Sequence, residues 1–203
     1  MSDLSLEQKF ELFHEYFLVK RRYTLNILPI TDPDDIPGES DFENEIPELF
    51  QIASEVSAID AKMLRPLMNL GDVADDLVEF LRAQSRKIDL LMSHILVHQD
   101  HEGDRCDTQS FGGGGLTFFH EKKLEVGTMI RLKLFLKDEA SAIYGYGEIL
   151  QAEEEDERFH HSLLFTRLRE EDREIIVRAS LHEQSKQLKR KAQARQKDKG
   201  TNS

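Results

Sequence analysis

The residues whose types and spacing could support ligand chemistry lie at 108–118, where four consecutive glycines follow Ser110 and Phe111. Glycine is favoured where the backbone needs a positive φ, or where a ligand or a second stretch of backbone comes close. The run could therefore line a binding surface. On glycine content alone, a hairpin or bulge that holds no ligand is the better interpretation, and the surrounding residues must decide between the two.

Residues for catalysis or metal binding do not form a recognisable pattern. Ser110 begins the sequence Ser-Phe-Gly-Gly, which is not a nucleophile elbow, and no His–Asp partners are evident. The glycine run lacks the Gly-Lys-Ser/Thr ending of a P-loop. Four histidines have no supporting cysteine or carboxylate pattern: His98, His101, His160 and His161. We therefore predict no enzyme activity, no bound metal and no cofactor.

The charge of the chain restricts its partners. Its 203 residues carry a net charge of −12, which argues against a general nucleic-acid binder because phosphate neutralisation needs clustered Lys and Arg. Residues 186–203 hold seven basic residues against one acidic residue, a net +6 that leaves −18 for residues 1–185. We predict that this basic C-terminal segment is a solvated, frayed tail.

Cysteine usage and hydropathy indicate the compartment. Cys106 is the only cysteine, so an intramolecular disulfide is impossible. The first eight residues are acidic and polar, unlike a signal peptide. No run of eighteen apolar residues could span a membrane. We expect a soluble, cytoplasmic protein.

The N-terminal third combines an ambiguous segment, a strand and a linker. Residues 4–17 fit either a helix, with Phe10, Phe13 and Phe17 on one face, or a strand. Residues 18–28 alternate apolar and polar side chains as a half-buried strand does, and Pro29 should end it. Residues 31–45 are rich in acidic residues and proline, which predicts a linker.

Helical periodicity follows over residues 46–97. A first helix is predicted over 46–70, with an interruption at Pro66, and a second over 72–97. Apolar residues of the second helix are spaced three and four apart, as in a coiled coil, with one polar residue among them. This seam comprises Ala74, Leu77, Leu81, Gln84, Ile88, Leu91 and Ile95. A helix packed on its own domain remains possible, but Gln84 resembles a layer that sets register, which favours self-association.

Short strand patterns fill residues 104–168. They recur at about ten-residue spacing, which suggests a small barrel or sandwich. The predicted strands are 104–110, 116–119, 129–136, 142–151 and 158–168, with an acidic turn at 153–157. A closing helix begins near Glu170, and its acidic first turn suits the helix dipole.

The order of these pieces resembles the PilZ domain. The resemblance covers about residues 103–185 and depends on three segments: Ser-Phe-Gly-Gly at 110–113, Gly-Thr-Met-Ile-Arg-Leu-Lys-Leu at 127–134 and Glu-Asp-Arg-Glu-Ile-Ile-Val-Arg at 171–178. It implies a six-stranded β-barrel, which in this family commonly binds cyclic di-GMP through an R-x-x-x-R motif and a [D/N]-x-S-x-x-G motif. Two guanidiniums of the first motif would grip phosphates and guanine edges.

Both motifs are degenerate in this chain. Aligning the second motif on Ser110 and Gly113 places Thr108 where Asp or Asn belongs. The arginine positions of the first motif hold His14 and Leu18. Arg21 and Arg22 follow closely, but no two arginines in this N-terminal segment stand four apart, so they are alternative ligand candidates only. Atypical PilZ proteins with inserted, heptad-bearing helices lack the same motifs and form tetramers through a parallel coiled coil.

The sequence therefore predicts an α+β fold: a six-stranded PilZ-like antiparallel barrel with a two-helix insertion and a C-terminal helix. Its predicted parts are 1–30 (N-terminal segment and first strand), 31–45 (linker), 46–97 (helical insertion), 98–185 (remaining barrel and helix) and 186–203 (basic tail). The predicted function is a non-enzymatic assembly or adaptor protein, a homotetramer with an unknown protein partner, in type IV pilus, motility or second-messenger systems. A cyclic di-GMP receptor with altered ligands is the alternative.

Overall fold

The structure is a computed structural model, and it describes residues 4–38, 40–51, 72–98, 104–139 and 141–200. Over these residues the chain forms a β-barrel with helices on its outside. The helices are α1 (Leu6–His14), α2 (Phe42–Glu45), α3 (Asp72–His98) and α4 (Glu170–Gly200). The strands are β1 (Val19–Lys20), β2 (Thr24–Ile30), β3 (Arg105–Phe111), β4 (Gly115–His120), β5 (Met129–Leu136), β6 (Ser141–Glu155) and β7 (Arg158–Arg167).

The sheet closes on itself. Its strand order is β1-β3-β2-β5-β6-β7-β4, every pair is antiparallel, and pairing of β3 with β4 completes the ring. Since β1 and β2 both pair with β3, they are two halves of one interrupted strand. The predicted six-stranded barrel with a C-terminal helix is therefore confirmed.

Alternating side chains fill the barrel, as the period of a strand requires. In β5, Ile130, Leu132 and Leu134 are fully buried, whereas Arg131 and Lys133 face outward. The inward residues of the other strands join them in one core, to which Ile176 of α4 also belongs. The apolar alternation that predicted this strand thus marks the inner face of the barrel.

Strand β2 runs past the residue that was expected to end it. Pro29 lies opposite Ile130, and β2 continues to Ile30. Proline has no N–H to donate, so it is tolerated in a strand only where one edge is unpaired. The pairing of β2 with β3 covers only Thr24–Asn26, and Pro29 therefore lies beyond it. Asn26 is opposite Arg105, so the chain leaves and re-enters the barrel at the same end.

The acidic segment predicted as a linker packs on the barrel. Phe42 of α2 is buried against Tyr144 and Tyr146 on the outer face of β6. Both tyrosine hydroxyls donate hydrogen bonds to Glu45 Oε1, that of Tyr144 at 3.2 Å. Burial raises the pKa of both tyrosines, so they remain donors. The segment thus holds the start of the helical insertion against the barrel. Of the first predicted helix, residues 48–51 are helical, and residues 52–70 lie outside the described part of the chain.

The ambiguous N-terminal segment is helical. Ser5 caps α1 through a capping box with Gln8, which supplies partners for free N–H groups of the first turn. Phe13 is buried beside Leu150 and Leu164, on the outside of the barrel. Phe17 lies beyond the helix and is 77% exposed, so it does not belong to the apolar face of the helix.

Two helices extend well beyond the barrel. The segment expected to be a frayed tail continues α4 as far as Gly200, and residues 201–203 lie outside the described part of the chain. Helix α3 covers the region predicted to carry the coiled-coil seam. Within the described residues, neither these nor any other helix is long and apolar enough to cross a membrane.

A buried histidine makes stability sensitive to acid. His161 is fully buried beside Phe118, and its Nε2 accepts a hydrogen bond from the Leu124 N–H at 3.0 Å. Burial lowers its pKa from 6.5 to about 4. Between these values the unfolded chain takes up a proton that the folded chain does not, so the free energy of unfolding should fall as pH falls through this range. The difference between the two pKa values corresponds to about 3 kcal/mol of the free energy of unfolding, which is lost by the time the pH has fallen below 4.

Urea unfolding at several pH values between 4 and 7 measures this effect. We expect His161→Gln, which cannot titrate there, to show a shallower pH dependence than the native chain. His160→Gln is the control, since His160 packs on Phe119 without full burial. Equal slopes for the native chain and the His161 variant would contradict the assignment.

Candidate functional site

The glycine run connects β3 to β4 and is buried along its whole length. Gly112 N–H donates to Gly115 O at 2.9 Å, and Phe165 N–H of β7 donates to Gly114 O at 2.9 Å. Among the described glycines, the one with positive φ is Gly127, at 87°, in the turn before β5. The run therefore does not need glycine for its backbone conformation.

Close approach by the chain itself is what requires these glycines. A Cβ on Gly113 would lie 2.6 Å from Tyr16 Cδ1, and one on Gly114 would lie 2.6 Å from Leu12 O and 2.8 Å from Phe13 O. A Cβ on Gly112 would meet the carbonyl of Phe17. The end of α1 and the connection to β1 therefore lie directly on the glycine run, where a ligand would have to approach.

Helix α4 also contacts this run. Arg173 Nη1 donates to Gly113 O at 2.6 Å, and Val177 would contact any side chain added there. One turn earlier, Arg169 binds the Asp172 carboxylate with two hydrogen bonds, at 2.8 and 3.0 Å. Burial raises the pKa of Asp172, and the Arg169 guanidinium opposes that shift. Arg173 and Val177 thus link α4 to the glycine run, and the Arg169–Asp172 pair stabilises the start of the helix.

The polar residues of the second motif serve the barrel. Thr108 is buried beside the break between β1 and β2. Its hydroxyl accepts a hydrogen bond from the Tyr23 N–H at 2.9 Å and donates one to Arg21 O at 2.8 Å. Ser110 shares a 2.7 Å hydrogen bond with Thr117 on the neighbouring strand. These hydroxyls satisfy backbone and side-chain groups of the protein, and Thr108 provides no carboxylate or amide for a guanine.

The positions of the first motif carry no cationic pair. His14 is exposed at the end of α1, where its ring meets that of Phe13 edge to face. The centres of the two rings are 5.1 Å apart. Leu18 is half-buried and packs with Phe13 against the outside of the barrel. Both side chains contact Phe13, so they belong to the packing of α1 on the barrel.

Arg21 and Arg22 point to different places. Arg21 Nη2 pairs with Asp138 Oδ2 at 2.8 Å, and its Nη1 lies 3.9 Å from Glu183 Oε2. Arg22 is exposed and lines an open groove of about 560 Å³ that also contains Phe119 and Arg158. The structure therefore does not bring the two arginines together over the glycine run.

The seam of α3 is a second candidate site, and its apolar side chains are exposed in the single chain. Val78, next to the seam, is buried, and α3 contacts β6. Gln84 is half-buried, and the side chain of Ala74 lies outside the described part of the chain. The exposed fractions are Leu77 50%, Leu81 37%, Ile88 50%, Leu91 66% and Ile95 50%. Exposed large apolar side chains at regular helical spacing make this face of α3 a candidate interaction surface.

Metal ligands do not cluster in the described residues: no group of three or more His, Cys, Asp or Glu side chains could hold an ion there. His160 packs on Phe119, and His161 packs on Phe118. The side chain of His98 and the whole of His101 lie outside the described part.

A solved structure has the same architecture. A tetrameric PilZ domain protein from Xanthomonas campestris, described as self-assembled via an unusual helical bundle, matches with a TM-score of 0.52. The match covers 93% of this chain and 99% of that chain. The chain has a PilZ-type fold. At 15% sequence identity the similarity establishes the fold of this chain and not its activity.

Other comparisons add little to the PilZ-type assignment. MotI/DgrA of Bacillus subtilis, an inhibitor of motility, matches over 43% of this chain and 45% of its own, with 16% identity and a TM-score of 0.40, too low to support an argument. No protein-family model and no curated protein matches the sequence. The PilZ-type barrel is therefore identified here by topology.

Proposed function

We propose that this chain is a non-enzymatic assembly or adaptor protein that self-associates through α3 and presents its PilZ-type barrels to a protein partner. The observation that supports this most is the exposed seam of α3. Five large apolar side chains at heptad positions are between 37% and 66% exposed. Burying them between copies would contribute about 25 cal/mol per Å² of apolar surface removed from water.

A homotetramer is the assembly that we favour. Phe80 is 58% exposed beside the seam, so the apolar stripe is wider than a two-stranded coiled coil needs. Gln84 would form one polar layer that specifies alignment at a cost in stability. The Xanthomonas campestris protein, which covers nearly the whole chain, is described as a tetramer assembled through a helical bundle.

Cyclic di-GMP is not the ligand in this proposal. Each charge-assisted hydrogen bond to the nucleotide would contribute about 1.5–3 kcal/mol, and the arginine pair that supplies several of them is missing. In addition, residues 12–17 of the chain itself cover Gly112–Gly115. By resemblance to the PilZ family, we propose that the assembly acts in bacterial type IV pilus, motility or second-messenger systems in the cytoplasm.

Charge placed in the seam tests the assembly. The native chain should scatter light as a particle several times 23.5 kDa, whereas Leu81→Asp and Ile88→Asp should reduce it to smaller species, because a buried, unpaired carboxylate is costly. The β-sheet contribution to the far-ultraviolet circular dichroism spectrum should not change, because the seam lies outside the barrel. Leu6→Asp is the matched control, since Leu6 is 50% exposed on α1 and does not belong to the seam. Seam variants that keep the full mass would overturn the proposal.

The receptor alternative is favoured by one observation, the exposed Arg22 beside Arg158 and Phe119 in an open groove. Arg158 already lies 4.8 Å from the centre of the Phe119 ring, an arrangement that a stacked base could extend. Calorimetric titration with cyclic di-GMP distinguishes the two functions. Heat at micromolar nucleotide that is lost in Arg22→Ala would establish a receptor; no heat, with a multimeric mass, supports the assembly protein.

A further inference from the structure

A cleft of about 240 Å³ separates the α1–β1 connection from α4. Phe17 lines one wall and is 77% exposed, and Leu188 of α4 lines the other and is 60% exposed. Exposure of these two apolar side chains to water is unfavourable. A third apolar group bound between the two walls would remove part of this apolar surface from water.

The backbone of both walls is held in place by contacts within the chain. The carbonyl of Phe17 lies directly against Gly112 of the glycine run, and the Phe17 side chain is exposed. Across the cleft, Gln187 Nε2 of α4 donates to Lys20 O at 2.8 Å. A preformed cleft loses little conformational entropy on binding, which leaves more of the contact energy for affinity.

The charged side chains that line this cleft are Lys20 and Lys191, and among the described residues no carboxylate lines it. Lys189 and Arg190 precede Lys191 on the exposed surface of α4. Residues 1–185 carry a net charge of −18, so most of the molecule repels an acidic ligand. The lysines of the cleft attract such a ligand.

We propose that this cleft, termed the Phe17–Leu188 cleft, binds an acidic segment of a partner protein that inserts a bulky apolar side chain between the two residues. The proposal names the class of partner for the adaptor role and rests on the function proposed above. A protein segment is favoured over a lipid surface because the cleft is concave. In addition, Gln184 and Gln187 interrupt the apolar surface of α4 that a membrane would need.

Fluorescence anisotropy of the full chain with a labelled synthetic peptide tests the proposal. The probe has glutamates on both sides of a Leu-Phe pair. Two matched peptides replace either the glutamates with glutamines or the Leu-Phe pair with alanines. We expect saturable binding of the first peptide that weakens with salt, and binding about tenfold weaker for each of the others.

Substitutions in the cleft locate the binding. Phe17→Ser and Lys20→Glu/Lys191→Glu should each weaken the affinity about tenfold. Leu6→Ser and Lys122→Glu, which change an exposed leucine on α1 and an exposed lysine in the turn between β4 and β5, should change it less than about twofold. Peptide binding that is absent, or equal in all variants, would overturn the proposal. So would binding to phosphatidylglycerol vesicles without binding to the peptide.

Light scattering on the same samples separates this inference from the assembly. Cleft variants should keep the native mass, and Leu81→Asp should keep peptide binding per chain while losing mass. Failure of the peptide with an intact multimer overturns the cleft alone, whereas a monomeric native chain that binds the peptide overturns the assembly alone.

Discussion

Replacing Asp172 with alanine is expected to lower the free energy of unfolding by about 3–5 kcal/mol, the cost of breaking a buried ion pair by removing one partner. Asp172 is 1% exposed, and its carboxylate accepts both hydrogen bonds from Arg169. Without it a largely buried guanidinium would lose its closest counter-charge, and the first turn of α4 would lose the ion pair that joins it to Arg169. Urea unfolding followed by circular dichroism measures the loss.

Two further variants test the physical reason. Glu171 also pairs with Arg169, at 3.6 Å, but its side chain is 65% exposed, so Glu171→Ala should cost no more than about 1 kcal/mol. The pKa of Asp172 is raised, which means that burial outweighs the attraction of Arg169. Arg169→Met/Asp172→Leu should therefore recover most of the stability, because it removes both charges together. A double variant as unstable as Asp172→Ala would contradict this account.

The second large effect is expected at Gly114. Gly114→Ala would place a methyl group 2.6 Å from Leu12 O and 2.8 Å from Phe13 O, both of which are backbone atoms that cannot rotate away. Overpacking against backbone should lower the free energy of unfolding by about 3 kcal/mol, or displace α1 at a similar cost. Urea unfolding reports the first result, and faster amide exchange in residues 6–14 reports the second.

Gly38→Ala is the matched control. The nearest atom to its new methyl group would be Asp41 Oδ2 at 3.3 Å, the end of a flexible side chain. We expect a change of less than about 1 kcal/mol there. If the Gly114 and Gly38 variants were equally stable, close backbone approach would not be the reason for the glycine run.

The barrel was predictable because each strand carries its own signal. The alternation at 129–136 depends on period two alone, and Ile130, Leu132 and Leu134 lie inside as that pattern requires. The α2 segment has no such signal, since four residues cannot show a period. Phe42 is buried only because Tyr144 and Tyr146 on a distant strand provide a surface for it.

The candidate site was harder to predict because its contacts are long-range. The sequence placed Thr108 in a degenerate motif, but its two hydrogen bonds to residues 21 and 23 depend on the break between β1 and β2. The glycine run indicated close approach, yet nothing local could tell a ligand from residues 12–17. The Phe17–Leu188 cleft joins positions far apart in the chain, so no sequence pattern could have revealed it.

The pairing of Asn26 with Arg105 means that, in topology, β2 and β3 form a hairpin whose loop is residues 31–104. The entropic cost of closing a loop grows only with the logarithm of its length, so the barrel is nearly indifferent to how many residues this loop contains. Evolution could lengthen, shorten or exchange the helices without disturbing the closure of the sheet. The barrel and the inserted helices can therefore diversify independently, as two modules of one chain.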